Sequence, residues 1–424
     1  MTKKHNTSAL LKKRNREEMR FRLYGRFTIL AVLALLGLML VTISLKAVSV
    51  FQKAYMHVEI DFSEIQVNYD LDSPDEALRR INFRELIYQS FKKGSAVKDY
   101  DLDRNQVQQL ISPGAEVLLY QKVRKNPEIL RGRHFVWILA SDDVDYFIKH
   151  AQDRDLPEAE RRLTHEQMDF IEFRQDMGTI QMKFNTLFFS HGDSRSPELA
   201  GIKSALAGSM YTLLITLLLA FPIGIAAAVY VEDFAPRTAF VRFVELNINN
   251  LASVPSIVFG LLGLGVFINI FHMPRSSALV GGMTLALMIM PTIFIATRSA
   301  LQTVPKAIAR AAEALGASRI QVVFHHKIPL ALPGILTGTI LGVARALGES
   351  AALLMIGMVA FVVDVPVSPT DPATVLPVQI FNWARNPEQG FADHTAAAIM
   401  ILLLFLFVMN IGAVYIRKKF EHRW

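Results

Sequence analysis

Two ionisable residues stand inside an apolar run near the C-terminus. They are Arg345 and Glu349, in Ala344-Arg345-Ala346-Leu347-Gly348-Glu349-Ser350. A charge at bilayer depth costs at least ~2.5–3.5 kcal/mol on insertion scales, so it faces a partner, a cavity or a pathway. The i,i+4 spacing predicts one shared helix face and an ion pair. Two roles fit that pattern. The pair fixes helix packing and nothing more, or Arg345 lies on an anion path. Guanidinium meets an oxyanion with two parallel hydrogen bonds. Glu349 would then hold Arg345 in place or close the path when no anion is there.

The elements that must position this pair are membrane spans. The chain has 424 residues, 52% apolar, no cysteine and a formal charge of +7. Without cysteine there are neither disulfides nor thiolate metal sites. Residues 51–200 carry 20 Lys and Arg against 26 Asp and Glu, which leaves the remainder at +13. A basic membrane part beside an acidic soluble part argues against nucleic acid as a partner. The division reads as a basic tail (1–26), a first span (27–50), an extracytoplasmic domain (51–200) and a transmembrane domain (201–424). Six spans are expected: Phe27–Leu45, Leu206–Val231, Leu251–Phe271, Ala278–Ala296, Pro333–Val363 and Ala396–Ile416. The first is close to the ~20 residues a helix needs to cross a bilayer. Its long basic leader favours an uncleaved anchor over a signal peptide. Basic flanks place both termini in the cytoplasm.

Residues 51–200 read as α+β. Val58–Phe62 alternates with period two, and Val117–Tyr120, Phe135–Leu139 and Thr179–Asn185 are further strand candidates. Thr164 and Gln167 form a capping-box pattern. Asp99, Asp101 and Asp103 have the alternate spacing of a calcium loop, but Arg104 and Leu110 break it where Gly and Glu are needed. Asp142, Asp143 and Asp145 are expected in an exposed loop. His134, His150, His165 and His191 show no metal-ligand spacing.

The second stretch with chemical consequence is a basic elbow at about 300–332. Ala309–Leu315 is an Ala-rich helix stopped by Gly316, as helices commonly are. Ser318 caps a second short helix, which must end or kink near Ile328-Pro329. Ala311, Ala312 and Leu315 are expected on one face, small enough to lie in a groove of another protein.

Ala311–Pro329 resembles the EAA loop of ABC importer permeases, with nine residues between Gly316 and His326. Ala344–Ser350 and Asn250–Gly260 are similar to the permeases of phosphate-specific transport, the A-type subunit above all. The resemblance covers roughly residue 201 onward. It implies a type I (MetI-like) α-helical permease core, to which the α+β domain is an insertion, in a bacterial inner membrane. Ala311, Ala312, Glu313, Gly316, Ile328 and Pro329 would couple to an ATPase, and Arg345 and Glu349 would line the substrate pathway. Implied partners are a homologous second permease in a heterodimer, two ATPase subunits, a periplasmic phosphate-binding protein and phosphate. Arg310 departs from the pattern, standing where the family has the first Glu; Glu313, one turn on, could replace it.

No G-x-x-x-x-G-K-[ST] occurs, so ATP and Mg are expected on the partner ATPase, with no cofactor in this chain. Nor is there an H-E-x-x-H or a recognisable nucleophile, and a transporter subunit is expected rather than an enzyme. Two rivals remain. Competition by unlabelled oxyanions separates phosphate from sulfate or molybdate. A membrane sensor would need a cytoplasmic output domain, and the longest internal cytoplasmic segment is the elbow.

Overall fold

A computed structural model of the chain describes residues 4–63, 78, 80–93, 100, 102–130, 132–150, 157 and 161–420. Helix α1 (Lys4–Val50) runs without a break through the basic tail and the apolar stretch. Its apolar side chains stand exposed, Phe27 and Leu35 each by about 70%, which suits a lipid-facing helix. Among its described side chains only those of the last turns are buried, where Ala47 and Val50 pack with Phe391 and Ala396–Ala398 of the final helix.

The chain then enters strand β1 (Gln52–Asp61). Helices α2 (Phe83–Lys93), α3 (Arg104–Leu110) and α4 (Ala115–Lys125) follow, then β2 (Arg133–Leu139), α5 (Asp142–Lys149), α6 (His165–Asp176), β3 (Ile180–Phe184) and α7 (Thr186–Ser190). The sheet is antiparallel in the order β2-β1-β3, with Tyr55 opposite Leu139 and Gln52 opposite Phe184. Helices cover one sheet face, and Val58, Ile60, Phe91, Val136, Phe170 and Ile171 fill the layer between. Three strand expectations coincide with β1, β2 and β3. The fourth is corrected: Val117–Tyr120 lies in α4, which buries Ala115, Leu119 and Val123 at a four-residue period. A four-residue apolar run suits strand and helix equally. Thr164 and Gln167 do form a capping box on α6. Of the calcium-like trio, Asp99 and Asp101 lie outside the described residues, and Asp103 is the N-cap of α3.

Beyond residue 200 the structure is helical: α8 (Lys203–Val229), α9 (Ala239–Leu251), α10 (Ser256–Leu262), α11 (Ala278–Thr303), α12 (Lys306–Ala314), α13 (Arg319–Gln321), α14 (Ile328–Leu347), α15 (Ala351–Met355), α16 (Leu376–Ala384) and α17 (Gly390–Phe420). Among the described residues, five helices are long and apolar enough to cross a membrane, or up to six if a bent pair counts as one span. That pair is Ala239–Leu251 with Ser256–Ile270, bent by 107°. The third span is therefore not straight, and Pro255 sits at its bend. Residues 232–250, between the second and third expected spans, are largely helix α9. Packing of α8 and α14 on α11 forms the centre, around Leu285, Ile289, Ile293 and Ala346.

The fifth span is also shorter than Pro333–Val363. Helix α14 stops at Leu347, with Gly348 as its cap, and α15 is a separate turn. At its other end the chain passes Pro329 without stopping. A π-helical turn, Val322–Lys327, precedes it, and the Ile328 N–H bonds to the Val323 carbonyl five residues back. The wider turn makes room for a proline that would crowd a regular α-helix.

Candidate substrate pathway and coupling elbow

Glycines place α14 against α11. A Cβ at Gly338 would lie 2.0 Å from the Ala296 Cβ, and one at Gly334 would lie 2.6 Å from the Ala300 Cβ. Small residues at this spacing let two helix backbones approach closely. Ala346 continues into the core, and Arg345, one residue before it, is exposed beside it.

The expected Arg345–Glu349 ion pair does not form. The reason is backbone geometry, because the helix ends between the two residues and i,i+4 no longer means one face. Arg345 has no ion-pair partner among the described residues, and Glu349 turns to α15, where its Oε1 accepts the Ala352 N–H at 3.2 Å. Glu349 also borders a small cavity with Ser209, Thr212 and Leu285. The Ser209 hydroxyl accepts the Leu376 N–H at 2.8 Å, whereas the Thr212 hydroxyl is buried without a partner among the described residues. Those two hydroxyls were missed from sequence, although Ser209, Thr212 and Thr216 recur at helical spacing in α8.

The elbow has the anticipated hinge. Gly316 adopts φ +89°, a region closed to most side chains, and Ser318 and Gln321 form a capping box. Ala311 and Glu313 are exposed, but Ala312 turns inward and is buried. Ala311 and Ala312 thus do not share a face, since neighbours on a helix are about 100° apart. The outward surface includes large apolar side chains: Leu315 is 90% exposed, and Ile320 and Phe324 are exposed nearby. Ile328 is half-buried and Pro329 exposed at the start of α14.

Ion pairs absent from the sequence reading tie the elbow to the helices. Lys327 pairs with Asp233, in the π-helical turn Tyr230–Phe234 that ends α8. Arg298 of α11 reaches Glu232 and Glu245 at 3.0 Å each, and Gln302 donates to Glu232 at 2.9 Å. Displacing the elbow must therefore move the ends of α8 and α14 together.

Charged side chains also mark the junction between the sheet-bearing unit and the last helix. Asp142 and Asp145, expected in an exposed loop, lie instead in the first turn of α5, capped by Ser141 and buried. The Lys53 ammonium lies 3.0 Å from Asp145 and 3.8 Å from Asp142. Burial pushes the Asp142 carboxyl up to about 7, with Lys53 opposing. Burial likewise raises Glu198 and lowers the Lys149 ammonium.

Residues 220–422 match the family of binding-protein-dependent transport system inner membrane components. Residues 8–158 match a domain of unknown function, DUF3333. A probable ABC transporter permease protein, YqgI, of Bacillus subtilis (strain 168) is 32% identical over 251 residues, which span 56% of this chain and 83% of that protein. The chain belongs to the ABC transporter permease family. Phosphate transport system permease protein PstA of Haemophilus influenzae is 29% identical over 235 residues, 55% of this chain and 81% of that one. Among solved structures, an inward-facing MetNI methionine ABC transporter is matched with TM-score 0.42 and 18% identity, over 52% of this chain and 97% of that one. Family membership makes this a multi-pass membrane permease and implies ATPase and binding-protein partners. The DUF3333 match covers α1 and most of the sheet-bearing unit; the permease match begins within α8.

Proposed function

We propose that this chain is the A-type permease subunit of an ATP-driven inorganic phosphate importer. The supporting observation is its similarity to permeases named for phosphate transport, in Haemophilus influenzae and in Yersinia pestis, each 29% identical. Arg345 adds chemistry to that reading. It is a cation without a counterion among the described residues, at the end of an apolar helix, and a guanidinium fork suits a tetrahedral oxyanion. Glu349, beside the Thr212 hydroxyl, would border the same path and repel anions while it is empty.

In this reading both termini are cytoplasmic, and residues 51–200 lie on the periplasmic side of a bacterial inner membrane. A homologous permease completes a heterodimer. Two ATPase subunits bind ATP and Mg and receive the elbow through Ala311, Glu313, Leu315 and Phe324. A phosphate-binding protein delivers substrate from outside. Closure of the ATPase pair pushes the elbow, and the Lys327–Asp233 and Arg298–Glu232 links carry that push into α14, α8 and α11. The spans then rearrange around the path in alternating access.

Uptake of labelled phosphate by cells whose only importer contains this chain tests the reading. Excess unlabelled phosphate should abolish uptake, and excess sulfate or molybdate should leave it unchanged. Inhibition by sulfate or molybdate instead would assign the permease to another oxyanion.

A further inference from the structure

The junction between the sheet-bearing unit and the last helix encloses more acid than base. Four carboxyl groups meet there: Asp142 and Asp145 on α5, Glu198 just before α8, and Asp393 in the first turn of α17. Asp142, Asp145 and Glu198 are at least nine-tenths buried, and the Asp393 side chain is 13% exposed. Lys53 of β1 and Lys149 of α5 are the ammonium groups set against them, and Lys149 reaches Asp145 at 2.6 Å. Glu198 accepts the Ser112 hydroxyl at 2.6 Å, and Asp393 accepts the Ser49 hydroxyl at 2.6 Å. His150 stands 3.9 Å from Asp393, and Asp143, next to Asp142, pairs outward with Arg162. Among the described residues two ammonium groups and one imidazole stand against four carboxyl groups, and buried unpaired charge is strongly disfavoured.

Two orphaned atoms show where a proton belongs. Among the described residues Asp142 Oδ2 and His394 Nε2 are both buried without a hydrogen-bond partner, and both residues line one cavity of about 10 Å³. The other ring nitrogen, His394 Nδ1, lies 2.8 Å from the Gly390 carbonyl. A carbonyl only accepts, so Nδ1 carries the hydrogen and Nε2 of the neutral ring is an acceptor. An Asp142 carboxylate lining the same cavity would leave two unpartnered acceptors there. A carboxylic acid would supply the missing donor across one water, which the cavity is just large enough to hold. The fit is tight. A Cβ on Gly390, the first residue of α17, would meet Asp142 Oδ1 at 2.2 Å.

We propose that Asp142 and His394 form a proton-binding site that latches the sheet-bearing unit onto the first turn of the last membrane helix. With the proton bound, the latch is closed. Loss of the proton leaves a surplus carboxylate against Asp145, Glu198 and Asp393, and α5 separates from α17. The high proton affinity of Asp142 puts the transition near neutral pH. This site is independent of which substrate the permease carries.

The absence of native cysteine permits a direct test in membranes from cells expressing the full chain. Val50→Cys places one thiol on the cavity wall, where Val50 is 1% exposed. Its reaction with N-ethylmaleimide, divided by that of Val117→Cys on the exposed surface of α4, cancels thiol ionisation. Opening linked to one proton with a midpoint near 7 raises the normalised rate about tenfold between pH 6 and pH 8. In an Asp142→Asn background the rate should be low at both pH values. A normalised rate independent of pH in the otherwise native chain would overturn the proposal. So would a pH response that survives Asp142→Asn but disappears in His394→Asn, since the imidazole would then hold the proton. If Val50→Cys does not accumulate, hydrogen exchange over residues 142–149 of the unaltered chain, corrected for intrinsic pH dependence, must show the same transition.

Discussion

Three glycines on one face of α14 give a graded prediction. Ordinary Cβ contacts begin at about 3.4 Å. An alanine at Gly338 would meet the Ala296 Cβ at 2.0 Å, one at Gly334 the Ala300 Cβ at 2.6 Å, and one at Gly342 the Ile289 Cβ at 3.6 Å. The first requires α14 and α11 to part by about 1.4 Å, the second by about 0.8 Å, and the third not at all. Overpacking a tight contact costs about 1–3 kcal/mol. Replacing glycine by alanine inside a helix returns about 0.5–1 kcal/mol. Gly338→Ala should therefore lose about 1–2 kcal/mol net, Gly334→Ala less, and Gly342→Ala should be neutral or stabilising. The assay is the temperature at which detergent-solubilised chain loses its monodisperse peak, read beside membrane abundance. Removing the opposing methyl supplies a second arm: Ala296→Gly should rescue Gly338→Ala but not Gly334→Ala. Equal effects at all three glycines, or no rescue, would refute the packing of α14 on α11.

The other predictions concern the elbow and the junction. Lys327→Met leaves Asp233 part-buried without its cation; it should reduce ATPase-coupled uptake severalfold, with partial recovery on adding Asp233→Asn, measured at matched abundance. Gly316→Leu forces a side chain into φ +89°, at about 1–2 kcal/mol, and ATPase should no longer co-purify although the chain still inserts. Asp142, raised from 3.8 to about 7, holds its proton more tightly folded than unfolded. Stability should fall as pH rises from about 4 to about 7 and level off above, by up to a few kcal/mol. Asp142→Asn should flatten that slope and be more heat-resistant than the native chain at pH 8.

Long-range order was easier to read from the sequence than its interruptions. Apolar runs and basic flanks located α1, α8, α11 and α17 because a span of ~20 residues is a strong signal. The Gly316 turn and the Ser318 cap were legible because each depends on one residue type in one backbone setting. The stop after Leu347 was not, since Gly348 resembles the glycines inside α14 at 334, 338 and 342. That single break separates Arg345 from Glu349. The burial of Asp142 was invisible for a different reason: its partners Lys53 and Gly390 lie far away in the chain, and only the fold assembles them. The same holds for Lys327 with Asp233 and for Arg298 with Glu232 and Glu245, which local patterning cannot pair.

The measurement that bears most directly on the phosphate pathway is uptake by Arg345 variants at matched membrane abundance. Because Arg345 has no ion-pair partner among the described residues, Arg345→Met should leave the complex assembled and as heat-resistant as the native one. Its phosphate uptake should nevertheless fall to background. Arg345→Lys should be nearly as poor, because lysine keeps the charge but loses the planar fork. Adding Glu349→Leu to Arg345→Met should restore nothing. Near-native uptake by Arg345→Met, alone or with Glu349→Leu, would contradict a role for Arg345 on the anion path.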